Sequence, residues 1–160
     1  MHILLTLPFD TQHKWESPDL GLGYLAALLR QEGHHVEMML RPGAIDFAGW
    51  LEEKRFDLYG IKTFSSQARA TQQTIAIIRR VDPGAMIVLG GPHVAADPVH
   101  LFHLFPGADY GIGGEGELGL QGLVRAIEDG TLSQQQTKES IPGLIWRDGE
   151  GTRANEHHYV

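Results

Sequence analysis

The chain has 160 residues, enough for one well-cored domain and too few for two of ordinary size. Its 42% hydrophobic and 21% charged residues are those of a folded globular protein, and a formal charge of −7 argues against a broadly basic surface for nucleic acid or anionic membrane. The absence of cysteine removes disulfides, thiolate zinc sites, cysteine nucleophiles and iron–sulfur ligands from this sequence.

His2-Ile3-Leu4-Leu5-Thr6-Leu7 predicts a first strand, closed by Pro8. No basic n-region precedes it and no apolar run could span a bilayer, so a cytoplasmic chain is expected. Residues 9–17 make a long polar connection, a length that often carries function. Ser17-Pro18 predicts a helix entry; Leu22, Leu25, Ala26 and Leu29 recur at helical spacing until Gly33. A second strand is expected over 36–40, a helix over 45–55, a third strand over 57–63 and a helix over 67–81. Asp82-Pro83-Gly84 breaks the chain before Met86-Ile87-Val88-Leu89, a continuous apolar run of the kind found in strands buried on both faces. Gly90-Gly91-Pro92-His93 follows, then a helix near 94–105 interrupted by Pro98. A glycine-weakened fifth strand, 109–113, precedes a last helix with Leu120, Leu123, Val124 and Ile127 on its apolar face. Residues 131–140 read as a polar surface linker, and 143–147 with a segment near Tyr159 as a hairpin.

Five strands alternating with five helices imply right-handed crossovers and a doubly wound α/β fold with a parallel sheet. Ligands bind such sheets beyond the carboxyl ends of the strands. Four loops meet there: 8–17, 63–66, 90–93 and 113–117. Three are built largely of glycine, serine or threonine, a floor of hydroxyls and free backbone N–H groups suited to a flat ligand with a phosphate-bearing tail. Other chemistries fit less well. Gly21-Leu22-Gly23-Tyr24-Leu25-Ala26 has the letters of a dinucleotide fingerprint but does not directly follow a strand. A phosphoacceptor receiver domain requires aspartate where Thr63 stands. Glu115 and Glu117 open a helix, where carboxylates serve as dipole-favourable caps as readily as acid and base. The nine histidines form no strong ligand pattern: His100 and His103 are at i, i+3, and His157-His158 lies near the end.

The order Pro18-x-x-Gly21-Leu22-Gly23-Tyr24-Leu25-Ala26-Ala27-Leu28-Leu29, then Gly33-His34-x-Val36, Gly90-Gly91-Pro92-His93, Asp109-Tyr110-Gly111-Ile112-Gly113-Gly114-Glu115-Gly116-Glu117 and Ile141-Pro142-Gly143-Leu144-Ile145-Trp146-Arg147, resembles the N-terminal cobalamin-binding domain of B12-dependent radical SAM enzymes. The resemblance spans nearly the whole chain. It implies a flavodoxin-like (Rossmann-like) fold with strand order 2-1-3-4-5, and cobalamin lying over the carboxyl edge of the sheet. It assigns Ser65 and Ser66 to bonding the nucleotide tail, Gly90, Gly91 and Pro92 to lining the tail's channel, and Gly113, Gly114 and Glu115 to a place beside corrin and tail. Each of these also serves an ordinary turn. His93 reads as a helix-start or loop residue instead of a cobalt ligand.

Cobalamin mutases carry Asp-x-His-x-x-Gly after the first strand; here Asp10-Thr11-Gln12-His13-Lys14-Trp15-Glu16 has the Asp–His spacing one residue too long and no glycine. His13 is therefore a weak candidate for cobalt, and a base-off cofactor without a histidine ligand is expected, with His13 or Trp15 near its lower face. Radical SAM chemistry needs a Cys-x-x-x-Cys-x-x-Cys set for a [4Fe-4S] cluster, which this sequence lacks. The expectation is therefore a module, residues 1–130, followed by a linker and hairpin, 131–160, leading to a catalytic domain of the same parent that binds the cluster and S-adenosylmethionine. Two alternatives remain at this level: a stand-alone flavodoxin-like regulatory or interaction domain, and a flavin- or nucleotide-binding domain.

Overall fold

The computed structural model describes residues 1–9, 18–149 and 151–157. Five strands, β1 (His2–Thr6), β2 (His35–Met39), β3 (Leu58–Lys62), β4 (Ile87–Gly90) and β5 (Tyr110–Ile112), pair in parallel in the order β2-β1-β3-β4-β5. This is the doubly wound arrangement expected from the alternating elements. Their side chains alternate between two cores: Ile3, Leu5, Leu58, Val88 and Ile112 face one side, and Leu4, Tyr59, Ile61, Ile87 and Leu89 the other. Burial on both faces explains why β1 and β4 read as unbroken apolar runs.

Helices α1 (Leu20–Gln31) and α6 (Glu117–Glu128) cover the first face, through Leu22, Ala26 and Leu29 and through Leu120, Leu123, Val124 and Ala126. The opposite face is covered by α2 (Phe47–Glu52), α3 (Ala68–Val81), α4 (Pro92–Ala96) and α5 (Leu101–Leu104). The single interrupted helix expected near 94–105 is two short ones, and α2 is shorter than its predicted span. α1 begins two residues later than Ser17-Pro18 implies, because the Asp19 carboxylate accepts from the Leu22 N–H at 2.8 Å.

The carboxyl-terminal region differs most from expectation. Strands β6 (Leu144–Asp148) and β7 (Gly151–Ala154) form the hairpin, but β6 also pairs antiparallel with β5, so the sheet has seven strands and is mixed. Leu144, Ile145 and Trp146 are buried and contribute to both cores. The polar stretch before it contains a short helix, α7 (Gln135–Ser140), whose end is held by Asn155: its side-chain amide donates to Lys138 O and Ile141 O, both at 2.7 Å. Tyr159 and His158 lie outside the described residues. Among the described residues no helix is long and apolar enough to cross a membrane.

Candidate functional site

A cavity of about 310 Å³ opens at the carboxyl ends of the strands, between α1 and α6. Its floor is Leu5, Val88 and Ile112, its walls Leu22 and Leu25 on one side and Leu120 on the other. The space exists because small residues meet there. β3 contributes Gly60 to this face where an apolar side chain would otherwise stand, and α1 contributes Gly21. Size and apolar lining are those of a small-molecule pocket.

Gly91 fixes the far rim. It adopts φ +94°, a conformation that L side chains rarely take, and a Cβ there would lie 2.9 Å from Thr63 O and 3.0 Å from Lys62 Cγ. Its position lets α4 start directly against β3, where the His93 N–H donates to Thr63 O at 3.2 Å. On the other rim Gly114, at φ +80°, would bring a Cβ to 2.8 Å from the His157 ring. Both loops thus turn by means that only glycine supplies.

Of the residues singled out in the sequence, Gly90, Gly91, Pro92, Gly114 and Glu115 line this one cavity. Gly113 does not; its neighbours are Gly143 and His157 on the adjoining side of the loop. Ser65 and Ser66 form a 3-10 turn (Ser65–Gln67) at the exposed rim and are not part of the lining. Ser65 Oγ is tied to His93 Nδ1 at 2.9 Å, and the His93 ring packs edge-on against Phe105. His93, in the first turn of α4, therefore ties the start of that helix to the loop after β3. Glu117 sits in the first turn of α6 with one buried carboxylate oxygen unpartnered, and Glu115 is exposed. Residues 10–17, including His13 and Trp15, lie outside the described residues.

The lining also holds a charged residue that the sequence-based set lacked. Lys62, the last residue of β3, points into the cavity mouth and donates to both oxygens of Asp19, at 2.9 and 2.8 Å. Asp19 at the same time caps α1. Among the described residues, Lys62 is the single cationic side chain lining the cavity. An ammonium has three donors, and Asp19 takes two, which leaves one for an anion at the mouth. The pair joins residues 43 apart in sequence, and only the alternation along β3 that places Lys62 on the same face as Gly60 hinted at it.

The profile of the B12 binding domain family matches residues 13–124. The chain is 32% identical to an uncharacterized methyltransferase of Pyrococcus horikoshii, over 96% of this chain and 34% of that protein. It is 26% identical to the anaerobic magnesium-protoporphyrin IX monomethyl ester cyclase of Cereibacter sphaeroides, over 83% of this chain and 22% of that protein. The chain thus spans about a third or less of these relatives. In fold it is similar to the cobalamin-dependent S-adenosylmethionine radical enzyme OxsB, solved with aqua-cobalamin and S-adenosylmethionine bound: TM-score 0.78 at 19% identity, over 99% of this chain and 22% of that one.

Proposed function

The chain belongs to the B12-binding domain family, and from that premise we propose that it is the cobalamin-binding module of a B12-dependent radical SAM enzyme. The observation that carries this is the glycine-rimmed cavity at the carboxyl edge of the sheet, where Gly90, Gly91, Pro92, Gly114 and Glu115 converge. The fit is physical. A flat base needs apolar walls a few ångströms apart, which Leu22, Val88 and Leu120 supply, and its phosphate needs donors at the entrance, which the third Lys62 N–H supplies. The Cβ that Gly91 lacks would crowd the rim on which the tail lies.

In this assignment Ser65 and Ser66 lie at the outer rim, within reach of a ligand that extends beyond the cavity, and Gly113 supports the loop bearing Gly114. The cofactor is held base-off without a histidine ligand, since the Asp10–His13 spacing departs from the ligating pattern. When bound it supplies a cobalt centre able to relay a methyl group or assist a radical step. Residues 1–130 form the binding part, and 131–160 lead towards a catalytic domain that carries the [4Fe-4S] cluster and S-adenosylmethionine. The methyltransferase and cyclase relatives, each covered only in part, support such a parent.

The test is direct. Protein mixed with hydroxocobalamin and desalted is expected to retain roughly one corrin per chain in its visible spectrum, and no retention at micromolar protein overturns the assignment. The cob(II)alamin paramagnetic resonance spectrum is expected to lack nitrogen splitting from the protein. A splitting that vanishes in His13→Ala would disprove the histidine-off state while leaving cobalamin binding intact.

A further inference from the structure

A second constellation lies at the opposite end of the sheet, where β1 and β2 begin. His2 is the register partner of His35, and Glu37 is two residues further along β2, so all three side chains leave the same face. One ligand atom from each lies within 4.8 Å of the other two. Glu37 Oε1 stands 2.9 Å from His2 Nε2 and 3.9 Å from His35 Nε2. We propose that His2, His35 and Glu37 form a binding site for a divalent transition-metal ion of the zinc class, separate from the cavity at the carboxyl edge.

Two imidazoles and one carboxylate are the donor set that such ions prefer over calcium or magnesium. Bonds of about 2.0–2.1 Å place tetrahedral ligands some 3.3 Å apart, so the His2–Glu37 pair, at 2.9 Å, must open slightly while His35, now 3.9 Å from Glu37, moves closer. The larger movement falls on His35, whose side chain is 73% exposed, with its ring 4.6 Å from that of His2. His2 and Glu37 are already held. The His2 ring packs at 4.3 Å from Phe56, and Lys54 takes the other carboxylate oxygen, Oε2, leaving Oε1 towards the histidines. The supporting partners that orient a ligand carboxylate are therefore in place before any ion arrives. An apolar wall of Phe56 and the adjoining Trp50 backs the site.

Two features limit its strength. The Lys54 ammonium repels a dication, and three protein ligands leave at least one position to water, so micromolar affinity is expected instead of that of a closed structural site. Binding replaces the His2–Glu37 hydrogen bond by two metal bonds and holds the edge strand β2 against β1.

The experiment uses the full chain with its own amino terminus and no polyhistidine tag. Titration with Co²⁺, followed by its visible ligand-field absorption, and displacement by Zn²⁺ is expected to give one ion per chain. His35→Ala and Glu37→Gln should each weaken Co²⁺ binding at least tenfold, while His103→Ala, an exposed histidine elsewhere, should not. His35 is a surface residue, so circular dichroism of His35→Ala should be that of the parent. Unchanged affinity in His35→Ala, an equal loss in His103→Ala, or no uptake at millimolar Co²⁺ would each overturn the proposal. None of these outcomes bears on cobalamin, whose retention is scored separately.

Discussion

One face of the sheet carries Phe47, Phe56, Tyr59, Phe102 and Phe105 in a packed cluster with Trp50, whereas the face under α1 and α6 carries, among the described residues, mainly aliphatic side chains, with Trp146 as its fully buried aromatic ring and Tyr110 partly buried beside it. The strands are common to both, so the difference lies in what fills the space above them. Aromatic side chains each occupy large volumes and close one face. Gly21, Gly60 and Gly91 leave the other open at its carboxyl end, and the cavity results. A ligand site here is an omission of side chains at chosen positions along one face of the sheet.

The sharpest way to test that difference is to make the same truncation on each side. Leu101→Ala, in the aromatic cluster and fully buried, should cost about 3–5 kcal/mol, because its neighbours cannot relax into the void. Leu120→Ala borders existing open volume and should cost about 2–3 kcal/mol. Urea denaturation midpoints would measure both, and an equal or larger loss at Leu120 would break the comparison. Next in size is a pH effect at Tyr59, on the aromatic face. Burial, and then the hydrogen bond that the Tyr59 hydroxyl donates to Asp82 at 3.0 Å, push Tyr59 up to about 12 from its ordinary 10.0. The folded state thus favours the protonated phenol. The stability this gives is complete below pH 10 and is lost as pH rises from 10 towards 12, about 2–3 kcal/mol in all. Tyr59→Phe should flatten that stretch of the stability profile, at a cost near neutrality of about 1 kcal/mol for the lost bond. An unchanged alkaline slope would show that the phenol is not its source.

On the open face the corresponding test is Gly91→Ala. The left-handed backbone and the contact with Thr63 should together cost about 2 kcal/mol. Corrin retention should fall far more than that loss of stability explains, because the displaced rim is the cavity wall. Full retention in a destabilised Gly91→Ala chain would separate the rim from the site.

How far these features could be read from the sequence depended on whether a local pattern encoded them. The apolar runs at 2–7 and 86–89 and the spacing of Leu22, Ala26 and Leu29 carry the sheet and α1, because burial on both faces and helical periodicity leave direct marks. The strand order and the convergence of the glycine loops follow from the alternation of elements. What needed register was hidden. The union of His2 with His35 and Glu37 depends on how β1 aligns with β2, which no spacing reveals. The joining of β6 to β5 did leave a signal: Leu144-Ile145-Trp146 is apolar on both sides, as an interior strand is and a free hairpin is not. α7 left almost none. Gln135-Gln136-Thr137-Lys138-Glu139-Ser140 has no apolar stripe, and its end is fixed by Asn155 from the hairpin.

The smallest expected effect on stability is also the one that best distinguishes a wall from a ligand contact. Lys62→Met and Asp19→Asn each break the ion pair at the cavity mouth, and each should cost about 1 kcal/mol, since both partners keep some access to water. Asparagine retains the cap on the Leu22 N–H, so α1 should stay intact in Asp19→Asn. Their effects on corrin retention should diverge. Lys62→Met removes the cation facing an entering phosphate and should weaken hydroxocobalamin binding about tenfold. Asp19→Asn removes the competing carboxylate and leaves the ammonium, so binding should be equal to that of the parent chain or tighter. Parallel losses in the two variants would mean that the pair only shapes the mouth. Opposite responses would place the third Lys62 N–H on the ligand itself and make this cation a polar anchor at the mouth of a largely apolar cavity.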